Sequence, residues 1–238
     1  MKDSYLSRLE DVYNQKSFQR KVNYIKYNFG PIIRNLKTRK DISVLEVGPG
    51  KGEFIKYLHT CRIKNIDVID KDKNVMKSLQ NNFNITNAFN SDNVASIKSK
   101  LRRYDLVILI QVLEHMSPKF YFSTIKTLFS RVKNNGYILI VVPNANNPLG
   151  LVERYGDLQH QMAFTEQSLK DLIRGAGIHN FDFDIKGYSI PPYDVVNMVR
   201  IILQKLLHLF LLTIMVINGG TYFKIMNPNI VLIIRKKA

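Results

Sequence analysis

The amino-acid sequence predicts an α/β protein: a doubly wound, mostly parallel sheet with helices on both faces. Three observations predict it. Between residues 43 and 143, short apolar runs alternate with segments of helical period. The runs are near-continuous in Val, Ile and Leu, as strands buried on both faces require. A glycine-rich loop follows the first run directly and opens a helix.

Residues 1–38 are polar and basic, with Tyr5, Leu9, Tyr13, Phe18, Tyr24 and Tyr27 spaced along them. They predict one or two helices ending near Gly30-Pro31, because proline cannot donate to the helical ladder. SVLEV (43–47) predicts a strand and KGEFIKYLHT (51–60) a helix. NIDVID (65–70) predicts a strand, DKNVMKSLQNNF (72–83) a helix, and residues 85–89 a weak strand. YDLVILI (104–110) is β-branched and apolar, a strong strand. PKFYFSTIKTLFSRV (118–132) predicts a helix and GYILIVVP (136–143) a strand. TEQSLKDLIRGAG (165–177) predicts a helix capped by Thr165 and stopped by Gly175 or Gly177. IVLIIRKK (230–237) predicts a closing edge strand.

IILQKLLHLFLLTIMVI (201–217) is apolar but shorter than a membrane span, and it carries Gln204, Lys205 and His208. It predicts a helix buried in the fold or at a subunit contact, with a peripheral membrane contact as the lesser alternative. The 238 residues suit one domain: a helical cap (1–38), a core (39–187), then a helix and last strand (188–238).

The formal net charge is +16. Such a balance favours anionic partners, namely nucleic acid, an acidic membrane face or phosphorylated and carboxylated substrates. A coding bias towards Lys, Asn and Ile explains it equally well. Cys61 is the only cysteine, which excludes a disulfide framework and a thiolate zinc site. With the polar start, it points to the cytoplasm.

Gly48, Gly50 and Gly52 suit a backbone that turns tightly or meets a ligand without an intervening Cβ. The helix start beside them favours an anion. Asp70 ends the next strand about 20 residues beyond Gly50, where a carboxylate can hold two ribose hydroxyls. This describes an adenosine site. A dinucleotide fingerprint places its third glycine three positions beyond the second. Here the spacing is G-P-G-K-G, and Pro49 removes a donor, so a hydride carrier fits poorly.

VLEVGPGKGEF (44–54) resembles motif I of the class I S-adenosylmethionine-dependent methyltransferases. IDVIDKD is similar to their acidic second motif, and YDLVILIQVLEHM to their fourth strand with its VLEH ending. NNGYILIVVPN is similar to their fifth strand. GDLQHQMAFTEQSLKDLIRGAGI resembles a segment of a subgroup that includes ubiquinone-pathway enzymes and bacterial sugar and polysaccharide methyltransferases. The likeness covers residues 40 to 187, and NIVLIIRKK fits the last strand.

This resemblance implies a seven-stranded, Rossmann-like sheet and S-adenosyl-L-methionine as cofactor, with S-adenosyl-L-homocysteine as product. It implies that Glu46, Gly48, Pro49, Gly50 and Gly52 form the cofactor loop, Glu46 either facing the methionine end or holding the loop. Asp70 would hold the ribose with Lys71 flanking the adenine. Asp92 either accepts from the adenine amino group or caps a helix, and Gln111 would line the methionine portion.

The acceptor implied is a hydroxyl of a small anionic molecule, such as a nucleotide-linked sugar or a capsule or O-antigen precursor in a bacterium. RNA and quinone or lipid precursors are the alternatives. No stable nucleic-acid partner is expected, because the basic residues are dispersed, and a homodimer is open. A hydroxyl needs a positioned base, most often histidine. His59 and His179 read as surface residues and His208 as a structural one. His115, just after the fourth strand, and His160, in a lid-like segment, are the candidate bases, against packing roles for each. Some relatives with E-x-x-E-H at this place bind a divalent cation. Here Gln111 replaces the first carboxylate, so no metal is expected. Ile190-Pro-Pro-Tyr193 echoes the signature of amino-methylating DNA enzymes, but it lacks their first residue and reads as a rigid turn.

Overall fold

The computed structural model describes residues 14–219 and 223–238. Tyr5, Leu9 and Tyr13 lie outside the described residues. In chain order the elements are α1 (Gln15–Leu36), β1 (Ser43–Val47), α2 (Glu53–Thr60), β2 (Asn65–Asp70), α3 (Lys73–Asn82), β3 (Asn87–Asn90), β4 (Tyr104–Ile110), α4 (Tyr121–Ser130), β5 (Val132–Pro143), α5 (Leu151–Tyr155), α6 (Glu166–Gly175), β6 (Phe181–Gly187), α7 (Val195–Ile217) and β7 (Asn229–Lys236). Short 3-10 turns at Val94–Lys100, Leu113–His115 and Pro118–Phe120 join them.

The seven strands form one sheet in the order β3-β2-β1-β4-β5-β7-β6. The first five are mutually parallel, and β7 runs antiparallel to both β5 and β6. Alternate residues of the strands feed two cores. Leu45, Val107, Leu109, Ile138 and Ile140 pack with α4 and α6 on one face. Val44, Leu106, Ile108 and Leu139 pack with α1, α2 and α3 on the other. This is the seven-stranded doubly wound sheet that the sequence pattern and its resemblance imply. The order reverses between β1 and β4, so the ligand crevice belongs at their carboxyl ends.

Three expectations need correction. Helix α1 runs through Gly30-Pro31 to Leu36. Burial of Phe29, Ile33 and Leu36 outweighs the backbone bond that Pro31 cannot make. Strand β7 is not an edge, because β6 (FDFDIKG) pairs along its outer side. The alternating acids of β6 hid it in the sequence, since only a fully buried strand reads as an apolar run. Finally, α7 begins at Val195 and contains no buried residue, so it is not a helix buried in the fold.

Buried charge is paired away from the crevice. Asp67, wholly buried on β2, accepts from Arg102 Nε at 2.8 Å and Nη2 at 2.9 Å, from the Tyr104 hydroxyl at 2.8 Å and from Asn87 at 2.9 Å. Asp105 accepts from Arg39, Lys133 and the Ser43 N–H, which hold its carboxyl below the usual range despite burial.

Candidate active site

A cavity of about 560 Å³ opens at the carboxyl ends of β1 and β4. Its walls include Glu46, Gly48, Pro49 and Gly50 from the first strand and loop, and Ile110 and Gln111 from the end of β4. Arg20, Lys21 and Tyr24 of α1, Tyr188, Arg200 of α7 and Asn229 also line it. Of the residues expected from the sequence, Glu46, Gly48, Pro49, Gly50 and Gln111 meet in this cavity.

The three loop glycines all have positive φ, but they do different work. A Cβ on Gly48 would stand 2.4 Å from Val112 Cγ2, and one on Gly52 would stand 2.6 Å from Phe83 Cε2. Those two glycines let the loop lie against its neighbours. A Cβ on Gly50 would meet only Glu53 Oε2 at 3.8 Å, so Gly50 keeps backbone bare towards open space. The loop is fixed by Gly48 N–H donating to Ile69 O at 2.8 Å and Gly52 N–H donating to Pro49 O at 2.8 Å.

Glu46 is 3% exposed, and its Oε2 is buried without a partner. Burial, aided by the nearby charge of Glu53, pushes its carboxyl well above the usual range. An unsatisfied acceptor of this kind calls for a donor or cation from a ligand. Gln111 occupies the left-handed region at φ 54°. Its N–H donates to Val141 O at 2.9 Å, and its side-chain amide donates to Asn229 Oδ1 at 2.8 Å. The strained backbone turns the chain sharply off β4.

Asp70 and Lys71 close β2 outside the cavity walls. Asp70 Oδ1 accepts the Asp72 N–H at 2.8 Å, and burial raises its carboxyl above its ordinary value. Asn90 donates to Asp70 O and Lys71 O, which fixes the strand end. Asp92 is exposed, and the cap of the following 3-10 turn is Asn93, whose side chain accepts the Ala95 N–H. Asp92 is therefore not that cap. Among the histidines, His59 is half-buried rather than superficial, with its ring 5.9 Å from Phe83. His179 is exposed as expected, and His208 is half-buried on α7.

His115 and His160 come together, with ring centroids 4.5 Å apart. The 3-10 turn at Leu113–His115 presents the first. The second is brought in by the segment after α5, where Gln161 N–H donates to Glu114 O at 2.7 Å and Arg154 donates to His160 O at 3.2 Å. The Nδ1 atoms of both rings are buried without partners. Burial and the neighbouring His160 charge lower the pKa of His115, so its neutral form persists below the ordinary histidine range.

Glu114 lies fully buried beside them. Both of its carboxylate oxygens lack partners, and burial pushes its pKa up to about 8. Ligand atoms of Glu114, His115 and His160 all lie within 4.8 Å of one another. The sequence named Glu114 only as part of VLEH. Its depth follows from the turn after β4, and no periodicity signals it.

A sequence model described as a methyltransferase domain matches residues 18–181, well over half the chain. The chain belongs to this family. It is a class I S-adenosylmethionine-dependent methyltransferase, and S-adenosylmethionine is its cofactor. No curated protein matches it in sequence.

Among solved structures, it is similar to a SAM dependent methyltransferase from Archaeoglobus fulgidus, with 20% identity, 98% of this chain and 100% of that chain covered, and a TM-score of 0.65. The plantazolicin methyltransferase BamL, in complex with a triazolic desmethylPZN analog and SAH, shares 16% identity over 98% of this chain and 91% of that chain, with a TM-score of 0.64. The methyltransferase domain of bacterial CtHen1-C shares 15% identity over 91% of this chain and 100% of that chain, with a TM-score of 0.57. At these identities the likeness is one of fold.

The residues of this methyltransferase fit the cofactor on their own geometry. The unpartnered Glu46 oxygen suits an ammonium group, the bare backbone at Gly50 admits close approach, and the α2 start favours an anion. The Asp70 carboxylate at the end of β2 suits a ribose.

Proposed function

We propose that this methyltransferase acts on a hydroxyl of a small anionic acceptor, a nucleotide-linked sugar or surface-polysaccharide precursor being the best match. The observation that carries the reading is the His115–His160 pair at the carboxyl end of β4, two rings in contact with unpartnered buried nitrogens. A hydroxyl is a weak nucleophile at neutral pH and loses its proton to a positioned base as it attacks. A neutral His115 supplies that base, and His160 shares or relays the proton. The bound cofactor supplies an activated methyl on a sulfonium. Glu46 and the loop hold one end of it, Asp70 and Lys71 the other, and Asp92 remains the candidate for the adenine. Aligning nucleophile and methyl in line then provides most of the rate.

Arg20, Lys21 and Arg200 in the cavity wall, with the net charge of +16, support an anionic acceptor. Cys61 as the single cysteine supports a cytoplasmic setting. Labelled S-adenosylmethionine, supplied to extracts with and without the protein, tests the reading. Label in nucleotide-sugars or polysaccharide is expected, whereas label in RNA alone would overturn it. His115→Ala and His160→Ala should each retain SAH affinity, while at least one slows turnover by about a hundredfold. Normal turnover by both would remove the histidine base.

The Glu114–His115–His160 cluster favours one second reading, in which a divalent cation held there orients the acceptor oxygen. We propose metal-free transfer, because Gln111 turns its amide to Asn229 and adds no second carboxylate. Activity that survives dialysis against EDTA supports this, and loss restored by Mn²⁺ or Mg²⁺ supports the cation.

A further inference from the structure

Helix α7 leaves a broad apolar side exposed. Its half-buried stripe is Asn197, Ile201, Gln204, His208, Leu211, Leu212 and Met215, spaced for one helical face and holding three of the helix's six polar side chains, Asn197, Gln204 and His208. Its outward side is apolar over about half the circumference: Leu203 is 58% exposed, Leu206 60%, Phe210 61% and Ile217 80%. Water is the wrong solvent for that face. We propose that α7 lies in the plane of an anionic lipid bilayer, its outward face sunk to the acyl boundary.

Length and composition alone would let α7 cross a membrane. The topology forbids it. Strand β6, which precedes α7, and strand β7, which follows it, are adjacent in one sheet, with Gly187 paired to Ile230. Both ends of the helix must therefore return to the same side of the bilayer. The return would fall to residues 218–228, which include Asn218, Lys224 and Asn227-Pro228 and offer no second apolar span. Polar backbone of that kind does not cross hydrocarbon facing lipid. An in-plane helix meets both constraints.

Charge selects the bilayer over a second copy of the chain. Two molecules at +16 repel one another, whereas an anionic surface attracts each Lys or Arg near it by about 1 kcal/mol. Lys205, exposed within the outward side, can extend its ammonium to the headgroups while its stem stays in the apolar layer. A contact between two helices would also want a narrower apolar stripe than this one. Arg200 of α7 lines the cofactor cavity, so the same orientation sets that cavity at the lipid surface. The inference holds whatever acceptor the enzyme uses.

Sedimentation with vesicles tests it. The full chain should co-sediment with phosphatidylglycerol–phosphatidylcholine vesicles and bind at least tenfold more weakly to phosphatidylcholine alone. Leu206→Glu/Phe210→Glu changes two exposed residues, so it should keep the wild-type melting temperature and SAH affinity while losing at least tenfold in vesicle binding. Phe210→Trp creates the only tryptophan in the chain. Its fluorescence should be quenched more by lipids brominated near the headgroup than by lipids brominated near the chain ends. The proposal is overturned by absence of binding to either vesicle, by stronger quenching from the deep bromines, or by a dimer in solution that the double variant converts to monomer without any change in vesicle binding.

Discussion

Gly50→Ala separates the fold of the glycine loop from its use. Alanine at φ 54° costs about 1–2 kcal/mol in left-handed backbone strain. The new methyl meets only the Glu53 carboxylate, so nothing else in the protein resists it. For a chain of this size the loss lowers the melting temperature by about 2–8 °C. If the loop cradles the cofactor as proposed, the methyl fills space the cofactor needs, and SAH affinity should fall at least tenfold. Gly48→Ala is the control. It carries similar strain at φ 65° and adds an overlap with Val112 Cγ2 at 2.4 Å, bringing the loss to about 2–5 kcal/mol. Gly48→Ala/Val112→Ala should recover part of that loss by removing the overlapping methyls. Circular-dichroism melts give the stabilities and titration calorimetry gives the affinities. Wild-type SAH affinity in Gly50→Ala would refute the loop as the cofactor cradle, whatever the melts show.

Asp70→Ala should weaken SAH at least tenfold by calorimetry, through loss of charge-assisted hydrogen bonds worth about 1.5–3 kcal/mol each. Glu114 is held neutral in the fold, with its pKa raised to about 8, while the unfolded chain ionises it in the ordinary range. Stability should therefore fall as pH rises from about 5 towards 8, by on the order of a few kcal/mol, and Glu114→Gln should flatten that slope in urea melts. Asp67→Asn breaks the paired Arg102 contact inside the sheet and should cost about 3–5 kcal/mol, while SAH affinity below the melting transition stays unchanged. Because His115 titrates below the ordinary histidine range, turnover should persist as pH falls past about 6.5 before declining.

Much of this fold is legible in the sequence because parallel strands buried on both faces leave an unbroken apolar signal. SVLEV, NIDVID and YDLVILI are bounded by the strands that form. Strand β6 was hidden because Asp182 and Asp184 point it towards water on the outer edge. Pro31 misled because a local rule about donors yields to the burial of Phe29 and Ile33 on either side. The glycine loop was readable from its spacing. The distinction between Gly50 and its two neighbours was not, since it depends on Val112 and Phe83, distant in sequence. The meeting of His115 and His160 was likewise unreadable, because a backbone N–H of Gln161 and the guanidinium of Arg154, each donating to a backbone carbonyl, bring it about. Nor could composition show that α7 would leave its apolar side exposed.

Asn229 sits at the very start of the final strand, yet it takes the amide of Gln111 and walls the cavity. The pocket wall is therefore incomplete until β7 has been synthesised and has paired with β5. While the chain is still on the ribosome, the first five strands can pair, but they cannot offer a finished crevice. A chain that stopped before that asparagine would keep only the five parallel strands, since β6 joins the sheet through β7 alone, and its cavity would lack this wall.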